Sequence, residues 1–151
     1  MCLTCGMVVA LFGAAVAADR PSFILFLTDD QGWADAAFAG HPWVRTPSPD
    51  RLAREGTWFC QFYVPSTACS PTRAGFLDGL EPARLHIHGH LSDAASNAAR
   101  GMPNWMDPSV LTVARHLRGA GYGTAHFGKW HLGDGHGAPA PPTTASTSTS
   151  P

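Results

Sequence analysis

Hydrophobic positions along this chain gather into a few short blocks, separated by polar stretches rich in glycine and proline. Val8 to Ala17 is apolar but too short to span a bilayer comfortably, and it closes on Ala15-Val16-Ala17, a small-x-small site before Ala18. Residues 1–17 are therefore expected to be a secretory signal, despite an amino end without Lys or Arg; a buried N-terminal helix is the alternative. Phe23 to Thr28 is a continuous apolar run, as in a parallel strand buried on both faces. Trp58 to Val64, dense in aromatics, and Tyr122 to Phe127 read as further strands. Between them the period changes. Ser48, Pro49 and Asp50 open a short helix through Leu52, Ala53 and Glu55 that Gly56 closes. Ser70 as N-cap and Pro71 at the first helical position start a second, with Phe76 and Leu77 facing inward and Gly79 ending it. Asp107-Pro108-Ser109 begins the clearest helix, carrying Val110, Leu111, Val113, Ala114 and Leu117 at helical spacing and stopping at Gly119 and Gly121. Leu91 to Gly101 is small and polar and reads as loop. Strands alternating with helices predict an α/β protein.

Composition narrows this picture. At 151 residues the chain has mass enough for one domain with a real core, and its 16 glycines and 13 prolines suit a loop-rich α/β protein. A net charge of −1 argues against a nucleic-acid partner. From Ala138 onward only Pro, Ala, Thr and Ser remain, so 138–151 is expected to be a low-complexity, disordered tail. Cys2 and Cys5 form a lone C-x-x-C inside the expected signal. Cys60 and Cys69 would survive its removal, and a disulfide between them is sterically conceivable.

Four places carry candidate chemistry. Cys69 stands at a helix start, where backbone N–H groups converge and favour negative charge, and Arg73 lies one turn on along the same face. Such a site lowers a thiol pKa and suits a tetrahedral anion. Asp29 and Asp30 leave the end of the first apolar run, where open α/β sheets bind ligands. As hard oxygen ligands they suit Ca²⁺ or Mg²⁺, provided the chain turns there, which Gly32 permits; a solvated turn is the plainer alternative. Lys129 and His131, two apart after the last strand, point the same way and can reach one anion together. His86, His88 and His90 at alternate positions offer either a transition-metal face or a polar loop beside a cleft.

Cys69-Ser70-Pro71-Thr72-Arg73, followed by Ala74-Gly75-Phe76-Leu77-Asp78-Gly79, resembles the signature of the sulfatase family. Gly121-Tyr122-Gly123-Thr124 with Gly128-Lys129-Trp130-His131 resembles its second signature, and Phe23 to Gly32 its first strand. Thr46-Pro47, Leu52-Ala53 and Gly56 match it as well. Thr72, Asp78 and Phe127 depart from the usual residues. The resemblance covers about Pro21 to Pro141. It implies the alkaline-phosphatase-like fold with a mostly parallel central sheet, of which residues 18–137 would be an N-terminal part and the chain a truncated copy. It implies that Cys69 is converted to formylglycine by a formylglycine-generating enzyme, and that the hydrate attacks the sulfur of a sulfate ester. Asp29, Asp30 and the modified Cys69 would hold a divalent cation, Ca²⁺ or Mg²⁺. Arg73 and Lys129 would bind the sulfate, and His131 would steady the formylglycine hydroxyl. The implied partners are a small sulfate ester or sulfated carbohydrate, met outside the cell, in a periplasm or in a lumen. Phosphate or phosphonate monoester hydrolysis, and an inactive fragment or binding module, are the competing expectations.

Overall fold

The computed structural model describes residues 20–133 and 137–139; the expected signal, Cys2 and Cys5 and nearly all of the tail lie outside them. Helices supply the regular structure of this part. Helix α1, Pro47–Glu55, begins one residue earlier than the sequence suggested, because Thr46 rather than Ser48 stands at its start. The Thr46 hydroxyl donates to Asp50 Oδ1 at 2.7 Å and accepts from the Ala37 N–H, tying α1 to a single tight turn at Ala37–Ala39. Gly56 closes α1 as expected, its N–H on the Leu52 carbonyl.

Helix α2, Cys69–Asp78, is the centre of the molecule. Gly79 ends it in the left-handed region at φ 73°. Ser70 does not cap it: Ala68 is the cap residue, and the fully buried Ser70 hydroxyl accepts from the Leu91 N–H at 2.9 Å instead. Tertiary demand has overridden the local preference. Helix α3, Ala94–Ala99, occupies the stretch expected to be loop, with Asp93 as a working N-cap over Ser96 N–H. Helix α4 is Val113–Gly119, six residues shorter at its start than the periodicity suggested. There Asp107 bonds the Ser109 N–H and closes a turn to Val110, and Thr112, extended, becomes the true N-cap. Two side chains that each could cap a helix were available, and the later one does so.

The core is small. Ala74 of α2, Ile87, Leu91, Met102, Met106 and Leu132 are buried together, with Leu77, Leu85, Val110 and Trp130 packed against them. A backbone bond from Met106 N–H to the Leu132 carbonyl, 2.9 Å, fastens the last segment to it.

The three expected strands form no ladder among the described residues. Expected burial on both faces also fails for the first: Ile24 is 89 % and Phe26 91 % exposed. Burial of that kind requires a layer on each side, and none of the described residues supplies it. Yet the first and last apolar runs keep a fixed relation. The Arg20 guanidinium bonds the Ala120 carbonyl, the Phe23 and Tyr122 rings lie 5.7 Å apart, and Asp29 meets Lys129. All three pairs are separated by about 100 residues, so the two segments run side by side in the same direction.

Candidate active site

Three segments far apart in sequence converge on the start of α2. Cys69, half-buried, is its first residue, and the buried Arg73 follows one turn later. The first apolar run ends here in Asp29 and Asp30, and the last delivers Lys129. Adjacent residues of an extended chain point to opposite faces. Here Asp30 itself takes the left-handed conformation, φ 52°, and so both carboxylates face Cys69. The turn expected at Gly32 therefore lies two residues earlier; Gly32 instead donates its N–H to Asp35. Asp tolerates this region better than most residues, which suits it to the position.

The polar contacts form one chain. Asp29 Oδ1 accepts from Arg73 at 2.9 Å and Asp29 Oδ2 from Lys129 Nζ at 2.8 Å. Lys129 Nζ also lies 3.6 Å from Cys69 Sγ, and Cys69 Sγ lies 3.8 Å from Asp30 Oδ1. Arg73 further bonds the carbonyl of Lys129, so one guanidinium orients both the carboxylate and the lysine backbone. These contacts shift both partners consistently. The hydrogen bonds from Lys129 and then Arg73 hold the Asp29 carboxyl below its usual range. The bond to Asp29 and the nearby Cys69 hold Lys129 above its own.

Two carboxylates and the Cys69 sulfur place ligand atoms within 4.8 Å of one another, the one such group among the described residues. Hard oxygen donors at that spacing fit a divalent cation. The histidines expected as a possible metal face do not converge. His86 closes a tight turn at Pro82–Leu85 with φ 56°, His88 bonds the Arg100 carbonyl, and His90 stacks at 6.4 Å on His131. Cys60 is exposed and both it and Cys69 are free thiols, so no disulfide consumes Cys69.

Lys129 and His131 do not reach toward one group. His131, at φ 53°, turns its Nε2 to the Leu91 carbonyl at 3.2 Å and leaves Nδ1 buried without a partner among the described residues. Gly128, φ 91°, and His131 bend the backbone on either side of Lys129, which breaks the alternation that extended geometry assumes. Sequence reasoning missed Ser70, Asn97 and α3 as supports of this arrangement. The signal was present in Ser92-Asp93 followed by an alanine-rich run, a helix start of ordinary form.

A family model for Sulfatase matches residues 21–137. The chain is 43% identical over 115 residues to steryl-sulfatase of Mus musculus, covering 75% of this chain and 18% of the relative. It is 39% identical over 137 residues to arylsulfatase A of Bos taurus, covering 90% and 26%. Against N-acetylgalactosamine-6-sulfatase of Sus scrofa it is 40% identical over 126 residues, covering 80% and 23%. It thus spans about a fifth to a quarter of the length of these relatives. Among solved structures, the crystal structure of Ps i-CgsB superposes with a TM-score of 0.62 at 33% identity, covering 71% of this chain and 22% of that one. A protein from glycosaminoglycan metabolism in Bacteroides thetaiotaomicron gives 0.59 at 36%, covering 70% and 20%. Sulfatases have the alkaline-phosphatase-like fold and use formylglycine with a divalent metal. With three quarters of its length matched by one family model, this chain belongs to the sulfatase family.

Proposed function

We propose that this chain carries the nucleophile half of a sulfuric ester hydrolase active site, arylsulfatase-like, acting on a small sulfate ester or a sulfated carbohydrate. One observation carries the reading: Asp29, Asp30, Cys69, Arg73 and Lys129, drawn from three distant segments, close into a single contact set around one cysteine. Formylglycine, made from Cys69 by a formylglycine-generating enzyme, supplies an oxygen nucleophile, and Ca²⁺, or Mg²⁺ in its place, supplies fixed positive charge. Asp29 and Asp30 hold the cation. Lys129 binds the sulfate and balances charge that grows on its oxygens. Arg73 also serves the anion, and through its bonds to Asp29 and the Lys129 carbonyl it keeps both in place. His131 holds or moves a proton at its free Nδ1.

The architecture that goes with this reading is residues 1–17 as an export signal, 18–137 as an N-terminal part of the catalytic domain, and 138–151 as a low-complexity tail. The common direction of the first and last apolar runs supports their assignment as neighbouring strands of a mostly parallel central sheet. The apolar run Val8 to Ala17 with its small-x-small end supports a secreted, periplasmic or lumenal site of action. No helix among the described residues is long and apolar enough to cross a membrane.

The test is co-expression of the complete catalytic protein with a formylglycine-generating enzyme. Mass spectrometry of the Cys69 peptide should show sulfur replaced by an aldehyde oxygen. An aryl sulfate should then be hydrolysed faster than its phosphate analogue, and Cys69→Ala should fall to background. Undiminished turnover in that variant defeats the assignment, and preference for the phosphate ester moves it to the phosphatase branch.

A further inference from the structure

Leu91 is gripped at both backbone polar groups and through its side chain. The side chain is buried in the core, the N–H donates to Ser70 Oγ at 2.9 Å, and the carbonyl lies 3.2 Å from His131 Nε2. The following residue is clamped as firmly. Ser92 N–H donates to Asn97 Oδ1 and the Ser92 carbonyl accepts from Asn97 Nδ2, each at 2.9 Å. Ser70 and Asn97 are both fully buried, so neither bond exchanges readily with water. The Leu91 carbonyl is therefore a fixed point, set by the nucleophile helix α2 on one side and by α3 on the other.

A carbonyl oxygen only accepts hydrogen bonds, so the imidazole nitrogen facing it must carry the hydrogen. Neutral imidazole has a single N–H, which leaves the other nitrogen as a lone pair. That other nitrogen is His131 Nδ1, buried and unpartnered. We infer that the Leu91 carbonyl locks His131 as its Nε2–H tautomer, with Nδ1 as the proton-accepting nitrogen. Ser70 and Asn97 are positioning residues that act on His131 through Leu91. The functional consequence rests on the sulfatase reading, whereas the tautomer itself does not.

The experiment is long-range proton–nitrogen NMR of the complete catalytic protein with ring-labelled histidine, at pH about 8.5, where an ordinary imidazole is neutral. His131 is assigned by its loss in His131→Gln. The expected result is one protonated Nε2 and one bare Nδ1 for His131. A protonated Nδ1, or the averaged signal of a free imidazole, overturns the inference. Ser70→Val removes the acceptor oxygen, and Ser70→Thr keeps it at nearly the same shape. The valine variant should lose the single-tautomer pattern and the threonine variant retain it. An unchanged pattern in Ser70→Val overturns the role of Ser70; if that chain fails to fold, Ser70→Ala makes the same comparison without added bulk. In the complete catalytic protein, Ser70→Ala should lower kcat roughly ten-fold while KM holds, as expected when a proton acceptor is misplaced rather than removed. A wild-type protein that hydrolyses no sulfate ester defeats the functional reading and leaves the NMR result standing. A protonated Nδ1 does the reverse.

Discussion

Asp29 stands between two cations, and the sign of its response to pH follows from that. Its carboxyl is held below the usual range by Lys129 and then Arg73, so the stabilisation is fully present above the ordinary carboxylate range and is lost as pH falls through the lowered value. Thermal unfolding midpoints of wild type and Asp29→Asn should differ by a constant amount above about pH 5 and converge as pH falls below that. The difference should be modest, at most about 1 kcal/mol, because the Asp29 side chain is 44 % exposed to solvent. Arg73 is the more costly residue to lose. It is buried, and Arg73→Ala removes one of the two partners of Asp29 and the partner of the Lys129 carbonyl at once; chemical denaturation should show a loss of about 1–3 kcal/mol. Among the described residues Asp30 meets Cys69 across 3.8 Å, and in the proposed reading its carboxylate holds the cation. Calorimetric titration with Ca²⁺ should therefore show clearly weaker binding by Asp30→Asn. Unchanged affinity would remove Asp30 from the metal site.

At the scale of elements, α2 is held less by its own capping than by what its small residues allow. Gly75 lets Pro65, Pro82 and the Leu80 carbonyl approach, and a Cβ there would lie 2.9 Å from Pro65 Cγ and 3.0 Å from that backbone oxygen. Gly75→Ala should shift the helix against its neighbours and cost about 1–3 kcal/mol in a thermal or urea melt, as overpacking does. Helix α3 looks expendable, being six residues long, yet it carries Asn97. That one amide serves the Ser92 N–H, the Ser92 carbonyl, Asn104 and Arg100. Asn97→Ala breaks several of these part-buried bonds at once, and a loss of about 1–3 kcal/mol in urea unfolding is expected. Both α3 and the late start of α4 show capping chemistry, legible in principle, being selected by position: Asp93 and Thr112 cap, Ser70 does not.

For the whole molecule, the contrast lies between a well-knit site and a bare exterior. The buried core comprises few large side chains, while Ile24, Phe26, Trp43, Phe59, Phe62, Tyr63 and Phe127 stay largely exposed. Large apolar side chains left in water, with strand-like backbone that makes no ladder among the described residues, favour association. At micromolar concentration the isolated chain should self-associate in sedimentation velocity and bind a hydrophobic dye strongly. A monomer that binds none would contradict this account of its surface.

The residues that converge at the candidate site were legible in the sequence because their types and order carry the information. Cys69 with Arg73 one helical turn on, two adjacent carboxylates after an apolar run, and Lys129 after another each announce a charge or nucleophile. Local signals of glycine and proline likewise placed the ends of α1 and α2 within two residues. What no local pattern could supply was the partner of each group. Whether Asp29 would meet Lys129, whether Ser70 would cap its own helix or bond Leu91, and whether His131 would share a target with Lys129 are set by contacts 21 to 100 residues apart. Side-chain type and spacing determine what a residue is able to do. Only the tertiary structure decides which buried donor finds which acceptor, since each pairing is chosen by the cost of leaving its rivals unsatisfied.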